Sequence, residues 1–281
     1  MKELRAFYPL SDLCRALQLS RSAYYAWAKR QPSARQQLNQ QLQLLLKSLF
    51  LQFKANYGSP RLTHALRARG HHCNHKRVER LMRQQGLAAR RRRSFRICTT
   101  DSKHDYPISP NRLAHRAAPK SVDQVWVSDI TYIPTAEGWF YLAAVMDLYS
   151  RRIVGWAMQE NLQASLALNA LKIAITQRHP SKSLLHHSDR GSQYASACYR
   201  QQLQQAGIQS SMSRQGNCYD NAAMESFWST LKNELLRDCQ FQNREQARQM
   251  IFEVIEIDYN RQRLHSSLGH KSPVDFEQQL N

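Results

Sequence analysis

The spacing of hydrophobic residues along the chain changes near residue 120. Before that point, apolar side chains recur every three or four positions, which is the period of amphipathic helices. From about Val122 they gather into short runs rich in β-branched and aromatic residues, separated by turn residues and by helical segments. Such runs are typical of strands. The pattern therefore predicts an all-α amino-terminal region followed by an α/β domain.

The first helical pattern runs from Leu10 to Ala28 and is interrupted at residues 18–22. It resembles a small helix-turn-helix, in which Ser20 would cap the second helix while Arg21 and Tyr25 face outward. Two helices that pack together for structure alone fit this segment equally well.

The stretch from Gln36 to Phe53 is rich in leucine and glutamine. Leu38, Leu42, Leu45 and Leu49 keep a 4-3-4 spacing, which would suit a coiled-coil seam. The pattern covers only about two heptads, short of the three or four that indicate a coiled coil, so an ordinary core helix is favoured.

A second pair of helices is the clearer DNA-binding candidate. Residues 57–60 place a cap and a first-turn proline before a helix over Arg61–Arg69, and another helix begins near Asn74 and ends at Gly86. A basic stripe opposite an apolar one on the latter helix suits docking in a DNA groove. The expected DNA contacts in this unit and the adjoining basic run are Arg61, Lys76, Arg77, Arg80, Arg83, Arg90, Arg91, Arg92 and Arg93.

The distribution of charge supports a nucleic-acid partner for this region. Residues 1–120 contain 25 Lys and Arg against 5 Asp and Glu, whereas residues 121–281 contain 15 against 16. The net charge of +19 therefore belongs to the amino-terminal part. Phosphate backbones attract such a surface by counterion release. A basic face that only keeps the protein soluble is the alternative.

The second half predicts a mixed sheet. Three strands between Val125 and Trp156 are separated by turn signals and are expected to be antiparallel. A helix at 164–177, a strand at 183–187, a helix at 195–206, a strand at 208–213 and a helix from the cap Asn221 to about Leu236 complete the order βββαβαβα. This order matches the α/β ribonuclease-H-like fold.

Three acidic residues lie where that fold carries its metal ligands: Asp129 on the first strand, Asp189 after the fourth and Glu225 on the last helix, with 35 residues between Asp189 and Glu225. One acidic residue alone is usually a solvated surface group, but three on these elements suggest a catalytic site. Carboxylates are ligands that Mg²⁺ prefers, and two such ions about 4 Å apart promote phosphoryl chemistry. Arg190, Tyr194 and Lys232 are expected to hold DNA beside the carboxylates.

At these residues the chain resembles transposases of the insertion sequence 3 family and, more distantly, retroviral integrases. The motifs that carry the resemblance are Tyr57–Arg61, Trp126–Tyr132, His187–Tyr194, Ser213–Ala222, Glu225–Phe227, Leu231–Lys232 and the tail from Tyr259 to Pro273.

The resemblance implies a DDE polynucleotidyl transferase with Asp129, Asp189 and Glu225 as catalytic metal ligands. Such an enzyme uses two Mg²⁺ ions, for which Mn²⁺ can substitute. It binds double-stranded DNA at the terminal inverted repeats of the element and at the target, frees a 3′-OH by hydrolysis and transfers the strand by transesterification. A homo-oligomer of at least two chains on DNA is implied, and in many members fusion to an upstream reading frame. A hydrolysis-only nuclease and a DNA-binding regulator or inhibitor of transposition are the alternatives.

Six segments are predicted from these patterns. They are a helix-turn-helix-like segment at 1–31, a helical linker at 32–56, a second helix-turn-helix-like DNA-binding unit at 57–89, a basic linker at 90–120, the ribonuclease-H-like core at 121–240 and a carboxy-terminal helical extension at 241–281. No run of about 18 uncharged apolar residues occurs, so no membrane span is expected. We expect the chain in the bacterial cytoplasm, associated with the nucleoid when bound to DNA.

Overall fold

The chain divides into two compact units, one ending at Arg90 and one beginning at residue 91. The computed structural model describes residues 3–90, 104–114, 116–214 and 221–280. Within these ranges every helix is too short or too polar to cross a lipid bilayer.

The amino-terminal unit is helical, as predicted. Its α-helices in the described residues are α1 (Leu10–Ala16), α2 (Arg21–Lys29), α3 (Ala34–Gln52), α4 (Ser59–Ala68) and α5 (His75–Gln84). The predicted cap Ser20 is confirmed, because its side chain accepts a backbone N–H at the start of α2, and Asn74 does the same at the predicted start of α5. Gly70 and Gly86 take positive φ angles directly after α4 and α5, where such angles end a helix.

The leucine-rich helix α3 serves the core of this unit. Leu42, Leu46 and Leu49 are buried, whereas Leu38 in the 4-3-4 register is exposed. The seam is therefore only partly buried, and Leu46 outside it is buried as well, as expected for an ordinary core helix.

A five-stranded mixed sheet forms the centre of the second unit. The strands are β1 (Val125–Thr135), β2 (Gly138–Asp147), β3 (Ile153–Gln159), β4 (Leu185–Ser188) and β5 (Gln209–Met212), in the order β3-β2-β1-β4-β5. As predicted, β1, β2 and β3 are antiparallel, while β4 lies parallel to β1 and β5 parallel to β4. This topology confirms the ribonuclease-H-like fold class.

Helices cover both faces of the sheet. They are α6 (Ala164–Arg178), α7 (Ser192–Ala195), α8 (Ala197–Gln205), α9 (Ala222–Thr230), α10 (Arg244–Glu253) and α11 (Pro273–Gln278). One core gathers residues of α9 and α10, such as Phe227 and Ile251, and the opposite core gathers residues of α6 and α8, such as Leu166 and Tyr199. Gly155 of β3 lies so close to α6 that a Cβ there would be 2.4 Å from the carbonyl oxygen of Ala170.

Three predicted helices differ from the observed ones. The helix expected at 195–206 is divided at Ser196, whose backbone is extended and whose hydroxyl donates to the carbonyl of Gln193. The helix that contains Glu225 ends as an α-helix at Thr230 and continues as a π-helical turn, Leu231–Leu235. The long helix expected from Arg244 to Tyr259 likewise becomes π-helical at Val254–Gln262.

Asn221 begins α9, but its side chain does not cap it, contrary to the prediction. Its amide instead donates to the carbonyl oxygen of Ser128 at 3.4 Å. The side chain therefore joins the start of α9 to β1 beside Asp129.

Both edge strands carry side-chain hydrogen bonds to neighbouring segments. At β3, the amide of Asn260 accepts from the N–H of Ile153 and donates to its carbonyl, both at 3.0 Å. At β5, the backbone N–H of Arg112 donates to Ser211 Oγ at 2.9 Å, and Ser109 bonds Ser210 at the same distance. The segment 104–114 thus lies along β5.

Candidate active site

Asp129 lies in the middle of β1 with both carboxylate oxygens oriented by donors. Oδ1 accepts the backbone N–H of Ile130 at 2.8 Å, and Oδ2 accepts the indole N–H of Trp228 at 2.9 Å. Trp228 is itself buried in the core formed by α9 and α10. Because each carboxylate oxygen has two lone-pair directions, both oxygens keep one for a further partner.

The three predicted carboxylates influence one another electrostatically. Burial and the charges of Asp189 and Glu225 together raise the pKa of Asp129 to about 7, while the two N–H donors act in the opposite direction. A carboxylate in this environment is stabilised by a nearby cation. Within the described ranges, however, no three His, Cys, Asp or Glu side chains are close enough together to hold one metal ion. The carboxylates are therefore electrostatic neighbours, not a closed coordination shell.

Asp189 directly follows β4, as predicted. Its Oδ1 accepts the backbone N–H of Gly191 at 2.9 Å, which orients the carboxylate within a turn that leads into α7. The next residue, Arg190, donates from Nε to the carbonyl of Ser213 at 2.8 Å, and its own carbonyl lies 2.7 Å from Nε2 of His104. The turn that presents Asp189 is thus tied to the end of β5 and to the segment 104–114.

Glu225 and Lys232 come from α9 and the π-helical turn after it. Glu225 is in the first turn of α9 and is exposed. Lys232 is half-buried, with Nζ 4.6 Å from the ring centroid of Tyr132. Burial lowers the pKa of Lys232 to about 8, and the charge of Asp129 raises it. The electrostatic link between Lys232 and Asp129 puts a cation beside the carboxylates.

A network of buried polar side chains connects β1 with β4 and α8. Nε2 of His186 lies 2.7 Å from Ser128 Oγ and 2.9 Å from the hydroxyl of Tyr199. Burial and the neighbouring His187 lower the pKa of His186 to about 3, so the imidazole is neutral at physiological pH. Nε2 of His187 lies 3.1 Å from Ser213 Oγ. Both histidines are parts of the packed interior, and His186 holds Ser128, the residue before Asp129.

Tyr194, expected to hold DNA, is only 3% exposed. Burial raises the pKa of its hydroxyl well above the usual value, and among the described atoms the hydroxyl has no hydrogen-bond partner. A contact between Tyr194 and DNA would require this part of the core to open. Burial also takes Tyr194 out of reach of solvent, unlike Arg190, which is half-buried.

The basic residues expected to contact DNA in the amino-terminal unit fall into different environments. Arg77 donates from Nε and Nη2 to Asn39 Oδ1 at 3.0 and 2.8 Å, so it ties α5 to α3. The others at least partly reach the surface: Arg61, which lies over the Tyr57 ring, and the exposed residues Lys76, Arg80, Arg83 and Arg90. Arg83 also pairs with Glu79 at 3.3 Å. Arg91, Arg92 and Arg93 lie outside the described residues.

Arg80 is part of a cluster that the sequence pattern did not indicate. It lines an open cavity of 480 Å³ together with Arg30 and Arg35. These arginines come from α5 and from either side of the start of α3, so only the fold brings them together. Three guanidinium groups around one cavity are suited to phosphate.

The contact between Trp228 and the site was not predicted from the sequence. Its place in the apolar register of α9 indicates a core residue, and it is one. The signal that was available is the indole N–H, because a buried tryptophan usually needs a hydrogen-bond acceptor. That acceptor is Asp129.

Comparison with known proteins identifies the class of this fold and site. The family described as "Integrase core domain" matches residues 119–218 and again 206–273, and the family described as "HTH-like domain" matches residues 37–95. In the amino-terminal unit, α4 and α5 lie within the residues that the HTH-like family matches. The chain thus combines an integrase catalytic core with a helix-turn-helix-like region.

Relatives of known sequence narrow the class to one family. The chain is 45% identical over 269 residues to the insertion element IS600 uncharacterized 31 kDa protein of Shigella sonnei, covering 96% of this chain and 98% of that protein. It is 42% identical over 275 residues to the transposase InsF for insertion sequence IS3A of Escherichia coli (strain K12), covering 97% and 95%. The chain therefore belongs to the IS3 family of insertion-sequence transposases.

Among solved structures, a chain from the simian T-cell lymphotropic virus intasome in complex with PP2A regulatory subunit B56 gamma aligns with 83% of this chain. The alignment covers 74% of that chain at 16% identity, with a TM-score of 0.48. This likeness is too distant to bear on function.

Proposed function

We propose that this transposase binds the ends of its element, frees a 3′-OH by metal-dependent hydrolysis and joins that hydroxyl to a second phosphodiester by transesterification. The observation that carries the proposal is the state of Asp129. It is a half-buried carboxylate, oriented by two N–H donors and placed where Asp189 and Glu225 both raise its pKa. Holding like charges close together costs free energy, and a fold tolerates that cost where a cation is to be bound.

The donor set suits Mg²⁺, and Mn²⁺ as a substitute. All three side chains offer carboxylate oxygens, which hard divalent cations prefer, and Asp129 keeps a free lone-pair direction on each oxygen. Asp129, Asp189 and Glu225 would hold the ions between them. Once bound, two such ions neutralise charge on the phosphate and activate the attacking oxygen.

The other residues of the site orient the carboxylates or would bind the DNA strand. Trp228 and the N–H of Ile130 fix the plane of the Asp129 carboxylate, and the N–H of Gly191 fixes that of Asp189. Lys232, beside Asp129, would contact a phosphate of the DNA strand. Two DNA ends must be held together for joining, so we propose at least a dimer on DNA, with fusion to an upstream reading frame as a further possibility for the family.

The amino-terminal unit is proposed to grip double-stranded DNA at the terminal repeats. Support comes from the exposed lysine and arginines of α5 and from the arginines around the cavity beside α3. Phosphate contacts by such residues fix position on the duplex and do not by themselves read sequence.

The proposal is tested with DNA that carries the two element ends. We expect wild-type protein with Mg²⁺ to give nicked and then joined products on a sequencing gel, and to give neither with EDTA. Asp189→Asn should bind the same DNA and give no products, because one carboxylate of the site is neutralised while the oxygen that accepts the Gly191 N–H is kept.

Two other results of this assay would each support one of the alternatives, a nuclease or a regulator. Nicks that never become joined products, even with both ends present, would indicate a hydrolysis-only nuclease. Binding without any product from the wild type would indicate a regulator.

The hydrogen bond from Trp228 to Asp129 predicts a role in metal binding. Trp228→Phe keeps an aromatic ring and removes the donor, so the Mg²⁺ concentration that gives half-maximal cleavage should rise about tenfold, as when a residue that orients a metal ligand is lost. The same rise should appear in the Mg²⁺ dependence of the thermal unfolding midpoint, which needs no turnover.

Trp156→Phe is the matched control for this prediction. Trp156 is half-buried and donates its indole N–H to Glu256 at 2.9 Å, so this substitution also removes an indole–carboxylate hydrogen bond from the same unit. The Mg²⁺ dependence of Trp156→Phe should equal that of the wild type. Equal shifts in both variants would mean that Trp228 acts only through general stability.

A further inference from the structure

An exposed tryptophan lies on β2, the strand that pairs with the Asp129 strand β1. Trp139 is near the start of β2 and pairs across the sheet with Pro134 of β1. It is 52% exposed. Its ring packs edge to face on Tyr132, with centroids 4.6 Å apart and planes at 77°. The edge-to-face contact fixes the orientation of the indole and leaves about half of it open to solvent.

Tyr132 is the member of this aromatic pair that is closer to Asp129 along the chain. Tyr132 follows Asp129 by three positions on β1, a distance of about 10 Å along an extended strand. The Nζ atom of Lys232 lies 4.6 Å from the centroid of the Tyr132 ring, and the charge of Asp129 acts on the same lysine. The side chains therefore form a series that runs from the carboxylate through a cation and a tyrosine to the open indole.

A DNA strand has the chemistry that matches this series. Lys232 offers a charge to a phosphate, and an open indole offers a flat face on which a nucleobase stacks. Stacked bases in one strand are about 3.4 Å apart. Trp139 lies opposite Pro134, five positions and about 17 Å along an extended strand from Asp129, so its indole is within about five stacked nucleotides of a phosphate at the carboxylates.

We propose that Trp139, supported by Tyr132 and Lys232, is a binding site for an unpaired nucleobase of the DNA strand, a few nucleotides from the phosphate that is cut. Paired bases within a duplex stack on each other and do not present a face to a protein side chain, so the site takes a base that has left its pair. Stacking is tolerant of base identity, and the site would hold the strand without reading its sequence. This inference rests on the proposed function, which supplies the DNA strand.

The first arm of the test measures stacking without turnover. Element-end duplexes carry 2-aminopurine at one of the last few positions, and the full-length protein carries Asp189→Asn in every variant. Protein binding should quench the 2-aminopurine fluorescence at one or two of these positions when residue 139 is Trp or Phe. Trp139→Ala should abolish this change, although the duplex is still bound.

The second arm measures cleavage by proteins that keep Asp189. Trp139→Ala should slow cleavage of fully paired ends about tenfold, in the range expected for the loss of one stacked base. Trp139→Phe should retain most of the rate. Ends that are already unpaired by mismatches should restore part of the rate of Trp139→Ala, because the base no longer has to leave its pair.

Phe252→Ala is the control for loss of an exposed aromatic residue in the same unit, since Phe252 is 56% exposed on α10. It should change neither readout. The proposal is overturned if Trp139→Ala keeps the position-specific quenching, or if Trp139→Ala and Phe252→Ala lose activity equally. Because the fluorescence arm uses a variant that does not cut, failure of the strand-transfer proposal would leave its result interpretable.

Discussion

Asp129→Asn is expected to abolish cleavage and joining while the protein still binds DNA. The substitution neutralises the carboxylate whose pKa the charges of the other two raise. Metal ions at such sites contribute several kcal/mol of charge stabilisation in the transition state. Losing that contribution corresponds to a fall in rate of about a thousandfold or more. The rate of appearance of nicked element-end DNA on a sequencing gel measures the effect.

A second readout of the same variant does not depend on activity. Mg²⁺ at about ten times its dissociation constant should raise the unfolding midpoint of the wild type by about 3–6 °C, because it binds the folded state only. Asp129→Asn should lose this response. A full response in the variant would mean that the ion binds elsewhere.

Asp147→Asn is the matched control for Asp129→Asn. Asp147 is a buried aspartate on the neighbouring strand β2, where it accepts hydrogen bonds from Asp123, Tyr149 and Ser150. Its substitution should lower the unfolding temperature, since one of these bonds is lost, but should leave the response to Mg²⁺ in place. Loss of cleavage in both variants at a temperature where both are folded would contradict a special role for Asp129.

Gly155→Ala is expected to disrupt the second unit. An alanine Cβ at this position would lie 2.4 Å from the carbonyl oxygen of Ala170, 2.6 Å from the N–H nitrogen of Ala174 and 2.7 Å from the Ala174 Cβ. Two of these three atoms belong to the backbone of α6, so no side-chain rotation relieves the contact. The helix must move away from β3, which opens the core on that face of the sheet.

The expected cost of Gly155→Ala is at the upper end of that for overpacked cores, about 3 kcal/mol or more. In a unit of this size that lowers the unfolding midpoint by roughly 6–12 °C, which a thermal unfolding curve measures. Gly58→Ala is the control, because its φ is negative and the nearest atom to its Cβ is 3.8 Å away. If both substitutions have the same small effect, α6 and β3 are not held as closely as the structure indicates.

The sequence predicted the fold well where local signals and tertiary packing agree. The strand runs of the second half and the cap Ser20 appear in the structure as predicted. The errors concern helix continuity and the cap Asn221. Nothing in the apolar periodicity distinguishes an α-helical turn from a π-helical one after Thr230 or Val254, because both keep apolar residues on the same side.

The candidate site was harder to predict from the sequence than the fold. Acidic residues on the right elements indicated Asp129, Asp189 and Glu225, and the electrostatic coupling of these residues is consistent with a common site. The donors that orient them were not predictable, since the indole of Trp228 and the backbone of Gly191 reach their acceptors only after α9 and the β4 turn have packed. Burial of Tyr194 could not be foreseen for the same reason, because a tyrosine beside a catalytic motif suits the surface and the core equally.

The side-chain bonds at the two edges of the sheet also affect how copies of this protein can meet. Asn260 occupies both backbone groups of Ile153 on β3, and the segment with Ser109 and Arg112 lies along β5. A strand from a second molecule therefore meets occupied positions at these edges, and edge-to-edge extension of the sheet is disfavoured there. For the dimer on DNA that we propose, we expect the copies to dissociate without exchanging strands from these two edges of the sheet.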